Sequence, residues 1–159
     1  MAQGVDALRD ALRQALCEQH QVMRDLIQGL DAAALNWSPG PEMNSIAVLY
    51  AHLLDAERFL LAAALGETVQ RDREAAFRYQ APDAVALLQL IDAVEAESLA
   101  RVDRLTEADL AAVRAPAGDR LNRRFPGAWW VLHALGHDRE HIGQAMLTRQ
   151  LYEQRARSS

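Results

Sequence analysis

Leu8, Leu12, Leu16, Met23, Leu26, Ile27 and Leu30 recur at three- and four-residue steps. That spacing lays them along one face of a helix and predicts a first helix from Val5 to Leu30. A second apolar run, Ile46, Leu49, Leu53, Ala56, Leu60 and Ala63, predicts a helix that begins at Asn44 or Ser45 and ends near Gly66. Both starting residues are good caps. Val85, Leu88, Ile91, Val94, Leu99 and Val102 mark a third helix from Pro82 to Leu105, with Pro82 and Asp83 suiting its first turn. Trp129, Leu132, Leu135, Ile142, Met146 and Leu147 mark a fourth, from Pro126 to about Tyr152, with a frayed polar tail beyond.

The segments between these runs are punctuated. Asp31 caps a short turn through Leu35, and the run Asn36-Trp37-Ser38-Pro39-Gly40-Pro41 forbids regular helix. Residues 67–81 form a polar, arginine-rich link, long enough for a diagonal crossing in place of a tight hairpin. Thr106 to Leu110 reads as one more capped turn, and 111–125 as irregular chain without a convincing strand. With no internal repeat or second domain, residues 1–159 are expected to form a single all-α domain, a four-helix bundle.

Composition narrows the class. Hydrophobic residues make up 50% and charged residues 25%, as in an ordinary soluble domain. The net charge of −5 argues against non-specific nucleic-acid binding, and Arg120, Arg123 and Arg124 read as a solvated loop. All 17 basic residues are arginine. A single cysteine, Cys17, excludes an internal disulfide framework and reads as a small half-buried hydrophobe. Asp6 and the polar residues after it leave no secretory signal, and no apolar run is long enough to span a membrane. A cytoplasmic protein is expected.

The chemistry concentrates in His133-Ala-Leu-Gly-His137-Asp-Arg-Glu-His141-Ile-Gly-Gln144. On a helix, steps of four bring successive imidazoles onto one face, about 40° apart. Two neutral imidazoles so placed can point at one divalent ion, and His52, inside the second apolar run, is the natural third ligand. The pairs 133/137 and 137/141 have the same local geometry, but across 133–141 the direction drifts by about 80°, too far for all three to serve one ion. Asp55, three residues after His52, is placed to orient a ligating ring. Trp37 and His133 are candidate pocket residues. His20 reads as a partly exposed surface histidine, and Glu95 as a solvated acid near the inner face of its helix.

Competing site chemistries fit poorly. Residues 137–141 match H-x-x-E-H, but Glu140 points about 100° from His141, and no α/β frame accompanies it. A di-iron carboxylate bundle needs Glu-x-x-His pairs, and none is present. There is no nucleophile elbow and no glycine-rich phosphate loop.

Two segments carry a family resemblance. Trp-Ser-Pro-Gly-Pro-Glu-Met-Asn-Ser-Ile-Ala-Val-Leu-Tyr-Ala-His, Trp37 to His52, resembles the loop and second helix of the DinB-like superfamily, and His133 to Gln144 resembles its last helix. The resemblance implies a bundle in which the second helix neighbours the fourth. It implies a divalent ion, zinc or nickel, held by His52, His137 and His141, and so selects the 137/141 pair. It also implies a homodimer. Some relatives are transferases or isomerases that use low-molecular-weight thiols such as bacillithiol or mycothiol. The expectation is thus a metal-dependent enzyme that activates a small thiol for S-transfer or, in second place, water for hydrolysis. The alternative is a non-catalytic stress-response or interaction bundle, dimeric, with a structural or vestigial metal.

Overall fold

A computed structural model describes residues 2–157. The elements run α1 (Ala2–Ile27), α2 (Ala32–Asn36), α3 (Ile46–Leu65), α4 (Arg73–Phe77), α5 (Ala84–Arg104), α6 (Glu107–Ala111), β1 (Val113–Arg114), β2 (Phe125–Pro126) and α7 (Gly127–Arg157). The long helices α1, α3, α5 and α7 are the four expected, and they form an all-α bundle. Their ends carry the chemistry that stops and starts helices. Ser45 accepts from the Val48 N–H to cap α3, and Gly66 closes it at φ 72, a left-handed conformation that glycine adopts without a Cβ penalty. Asp83 caps α5, Asp31 caps α2, and Thr106 and Asp109 form a capping box on α6.

Helix α3 packs most extensively on α7 and also on α5; α1 packs on α5 and α7. The expected neighbourhood of the second and fourth long helices therefore holds. The diagonal crossings, however, are not at 67–81. They fall at the links α1–α3 and α5–α7, while α3 and α5 are side by side. The polar 67–81 link is occupied instead by α4, which folds back on α3.

Further expectations change. A two-residue antiparallel ladder pairs Val113 with Pro126 and Arg114 with Phe125, so the 111–125 segment is clasped at both ends. Helix α7 continues to Arg157, through the tail that lacks apolar periodicity. Cys17 is exposed. The core divides into two clusters: Leu35, Tyr50, Leu53, Leu87 and Ile91 centre one, and Leu16, Ala64, Val102, Trp130 and Ala134 the other. Val85 and Leu132, expected to face inward, are 58% and 66% exposed; the buried stripe of α5 is Leu87, Ile91, Val94, Ser98 and Val102. Among the described residues no helix is long and apolar enough to cross a membrane.

The bundle also buries polar groups. His20, read from sequence as a surface residue, is 1% exposed on α1. Its Nε2 lies 2.8 Å from Glu57 Oε2 on α3 and its Nδ1 lies 3.0 Å from Glu95 Oε2 on α5. Two carboxylates hold one ring, which is how a charge survives burial. Glu95 is thus no solvated acid: it also accepts from Arg24. Ser98 Oγ donates to the other oxygen of Glu57. Asp138 of α7 is likewise buried, and neither of its oxygens meets a donor. Burial, then the charge of Glu57, raise its pKa well above the ordinary carboxylate value.

Candidate metal centre

His52 sits near the middle of α3, the most apolar helix, and is only 6% exposed. His137 and His141 stand one turn apart on α7, half-buried, where α7 packs on α3. One ligand nitrogen from each of the three falls within 4.8 Å of the others. The ring centroids are 5.1 Å apart for His52 and His137, 4.9 Å for His52 and His141, and 4.4 Å for His137 and His141. The Nε2 atoms of His137 and His141 face each other at 3.2 Å. Two imidazole lone pairs that close repel each other unless a proton or a cation lies between them.

The environment keeps two of these rings, His52 and His137, neutral. Burial, then the charges of His141, Arg71 and Arg73, bring His52 down to about 4. Burial, then His141, His52, His133 and Arg71, bring His137 down to about 3. Neutral imidazole is the form that binds metal. Gln144 Oε1 lies 2.8 Å from His141 Nδ1. An amide oxygen only accepts, so Nδ1 carries the hydrogen and the Nε2 lone pair is left for the centre. His52 Nδ1 and His137 Nδ1 are buried without a hydrogen-bond partner. Three convergent imidazole nitrogens, two of them on rings with an orphaned buried atom, could hold a divalent metal ion. Three protein ligands leave a position open, and the exposed side is that of His137 and His141.

The other candidates lie elsewhere. His133 stacks on Trp129 at 4.6 Å, and Arg123 donates to its Nε2 at 3.0 Å, which uses the lone pair a metal would need. Its ring is 6.2 Å from His137, beside the triad and outside it. The Asp55 carboxylate accepts from Arg71 Nε at 2.6 Å, and His52 Nδ1 has no partner, so the two are not hydrogen-bonded. Trp37 packs edge-on against Tyr152. Tyr152 is eleven residues beyond His141, about 16 Å along α7 at the usual rise, so Trp37 closes that end of the bundle and does not line the histidine site.

Residues that periodicity did not single out complete the surroundings. The Phe77 ring of α4 packs on His52 at 4.6 Å, and the Arg73 guanidinium lies 4.6 Å over that ring. Arg71 lies 5.1 Å over Phe59. The only sign of them in the sequence is the arginine richness of the 67–81 link, and of Gln144 the three-residue step from His141.

A sequence-family model described as DinB superfamily matches residues 15–145. No curated protein matches the chain. Among solved structures, a DinB-like protein from Bacillus cereus superposes with a TM-score of 0.71 at 13% identity, covering 91% of this chain and 92% of its own. A conserved protein from Enterococcus faecalis gives 0.71 at 17% identity, over 89% and 95%. A DinB-like protein from Bacillus subtilis gives 0.67 at 17%, over 88% and 90%. At such identities the likeness is one of fold.

Proposed function

Because the chain belongs to the DinB superfamily, we propose that it is a metal-dependent enzyme whose His52, His137 and His141 hold one zinc or nickel ion and which transfers a low-molecular-weight thiol to an electrophile. The carrying observation is the convergence of three imidazoles from α3 and α7, with ligand atoms within 4.8 Å of one another. A divalent ion with an open position supplies Lewis acidity that makes a thiol, or in second place water, nucleophilic near neutral pH. The chain's own contribution is to hold the ligands. The apolar body of α3 keeps His52 unprotonated, Gln144 sets the tautomer of His141, and Phe77 shields one face of His52 from water.

Metal analysis of protein purified without a histidine tag tests the first step, with about one equivalent of zinc or nickel per chain expected for a single site. Less than about a tenth of an equivalent, unchanged by added metal, rejects it. Screening thiols against electrophiles tests the second step; activity that survives His137→Ala separates the chemistry from the centre.

A second copy of the chain would fit on the α1–α7 face. Val22 and Met146 are 42% and 45% exposed there, and they flank a shallow groove with Ile142 and Gly143. A Cβ at Gly143 meets nothing within 4 Å in the single chain, so Gly143→Arg leaves the fold intact and blocks close approach of a partner. Sedimentation should show a dimer for the native chain and a monomer for the variant. Should the thiol screen stay blank while the dimer persists, the non-catalytic bundle with a structural metal becomes the better reading.

A further inference from the structure

Beside the histidines, the link α3–α4 and the 112–124 loop enclose a cavity of about 320 Å³, lined by Phe59, Val69, Arg71, Arg73, Gly118 and Arg120. That volume suits a small molecule. Its wall is cationic. Arg71 is neutralised by Asp55, but Arg73 and Arg120 have no carboxylate partner among the described residues. The acids nearest in sequence are engaged elsewhere: Asp72 caps α4 through the Ala75 N–H, Glu74 pairs with Arg78, and Asp119 pairs with Arg123. Burial, then the charges of Arg120 and Arg71, hold Arg73 below its ordinary pKa, as expected of guanidinium groups crowded without a counter-charge.

The cavity is tied to the candidate metal centre by two of its walls. The charge of Arg71 acts on both His52 and His137. Arg73 lies over Phe77, whose ring packs on His52. We propose that the cavity lined by Arg71, Arg73 and Arg120 binds an oxyanion of the substrate, so that the enzyme takes molecules bearing a carboxylate or phosphate group and disfavours neutral ones. Arginine is suited to the task because its planar fork meets both oxygens of such a group at once. Phe59 and Val69 supply the apolar wall against which the adjoining carbon chain rests. The assignment of the oxyanion to a substrate rests on the metal-centre reading above; the anion binding itself does not.

The test titrates glutarate, inorganic phosphate and the neutral isostere glutaramide into the full-length chain, both zinc-loaded and chelator-treated, at about 0.15 M salt, where diffuse attraction is screened. At least one anion should saturate both forms and glutaramide neither; the tighter of the two anions identifies the group. The double substitution Arg73→Gln/Arg120→Gln should weaken binding about tenfold or more, as loss of charge-assisted hydrogen bonds does. Zinc content should not change, because neither arginine is a proposed ligand, and the chain should still unfold cooperatively, with at most the small loss of the Arg73–Phe77 contact. No saturation by either anion, equal binding of glutaramide, binding only to the zinc-loaded form, or an unaffected double variant overturns the proposal. Anion binding in a chain that takes up no zinc would reject the metal reading and leave this site standing.

Discussion

His20 Nε2 lies 2.8 Å from Glu57 Oε2, an ion pair 1% exposed on either side that joins α1 to α3 across the bundle diagonal. Burial pulls the His20 pKa down, but the hydrogen bond and charge of Glu57, and then those of Glu95, outweigh it and leave it above 6.5. A raised folded-state value means that the pair contributes fully below the unfolded pKa of about 6.5 and that its contribution is lost as pH rises through the folded value. His20→Gln removes the cation and leaves Glu57 buried beside Asp138. The expected cost is about 3 kcal/mol at pH 6, read from chemical denaturation. The gap between native and variant should narrow as pH rises; a gap constant from pH 6 to pH 9 contradicts the charged pair.

The triad and its neighbour should separate cleanly on metal uptake. His52→Ala and His137→Ala each remove one of three ligands and are expected to weaken zinc or nickel binding about a hundredfold or more. His133→Ala removes a ring whose Nε2 is held by Arg123 and should leave metal stoichiometry at the native level. Equilibrium dialysis against a competing chelator distinguishes them, and a His133 variant as deficient as the other two would relocate the centre.

Metal-free protein should lose stability on acidification through these same histidines. His52 at about 4 and His137 at about 3 both lie below the unfolded value of 6.5. As pH falls from 6.5 toward 4 the unfolded chain binds protons that the folded chain refuses, so stability falls with pH, opposite in sign to the contribution of His20. The double substitution His52→Gln/His137→Gln is expected to flatten the acid limb by about 2 kcal/mol, after allowing for the partial exposure of His137. Thermal melts of chelator-treated protein at pH 6.5 and pH 4.5 measure it; an acid limb as steep in the double variant as in the native chain refutes the assignment.

Gly127 begins α7 in a space that admits no side chain. A Cβ there would lie 2.1 Å from the Asp109 carbonyl oxygen and 3.0 Å from that of Ala64, both backbone atoms. Gly127→Ala should therefore destabilise the fold by about 2 kcal/mol, because α3, α6 and α7 meet at this point and one of them must shift. Gly136→Ala, on the same helix with open space around it, serves as the control and should be neutral or slightly stabilising. Equal melting points for the two variants would contradict the close approach.

Much of this architecture is legible without coordinates, for local reasons. Apolar spacing places the four long helices, and Ser45, Asp83 and Gly66 mark ends because capping depends on residues within one turn. The His137–His141 step is likewise local, and His52 stood out as a histidine in an apolar run. What escapes is set by pairing between helices. Glu57 is an acid amid Leu53, Phe59 and Leu60, and the facing His20 of α1, with Ser98 of α5, explains its burial. Periodicity could not show that partner, because it reports which face is inward and not what lies opposite. Arg71 and Arg73 were visible only as polar link residues, since their role depends on where α4 folds back. The inward registers of Val85 and Leu132 failed for a similar reason. Val85 precedes the buried stripe of α5, whereas Leu132, like Met146 and Leu147, lies off the buried stripe of α7 that Trp130, Val131, Ala134 and Ala145 form.

The ligands come from helices separated by the whole of α5 and both flanking links. During synthesis His52 therefore leaves the ribosome long before His137 and His141 exist, and no nascent intermediate owns the complete donor set. Loading of the proposed centre would therefore follow assembly, and the ion would act as a late clasp between an early-made helix and the last one.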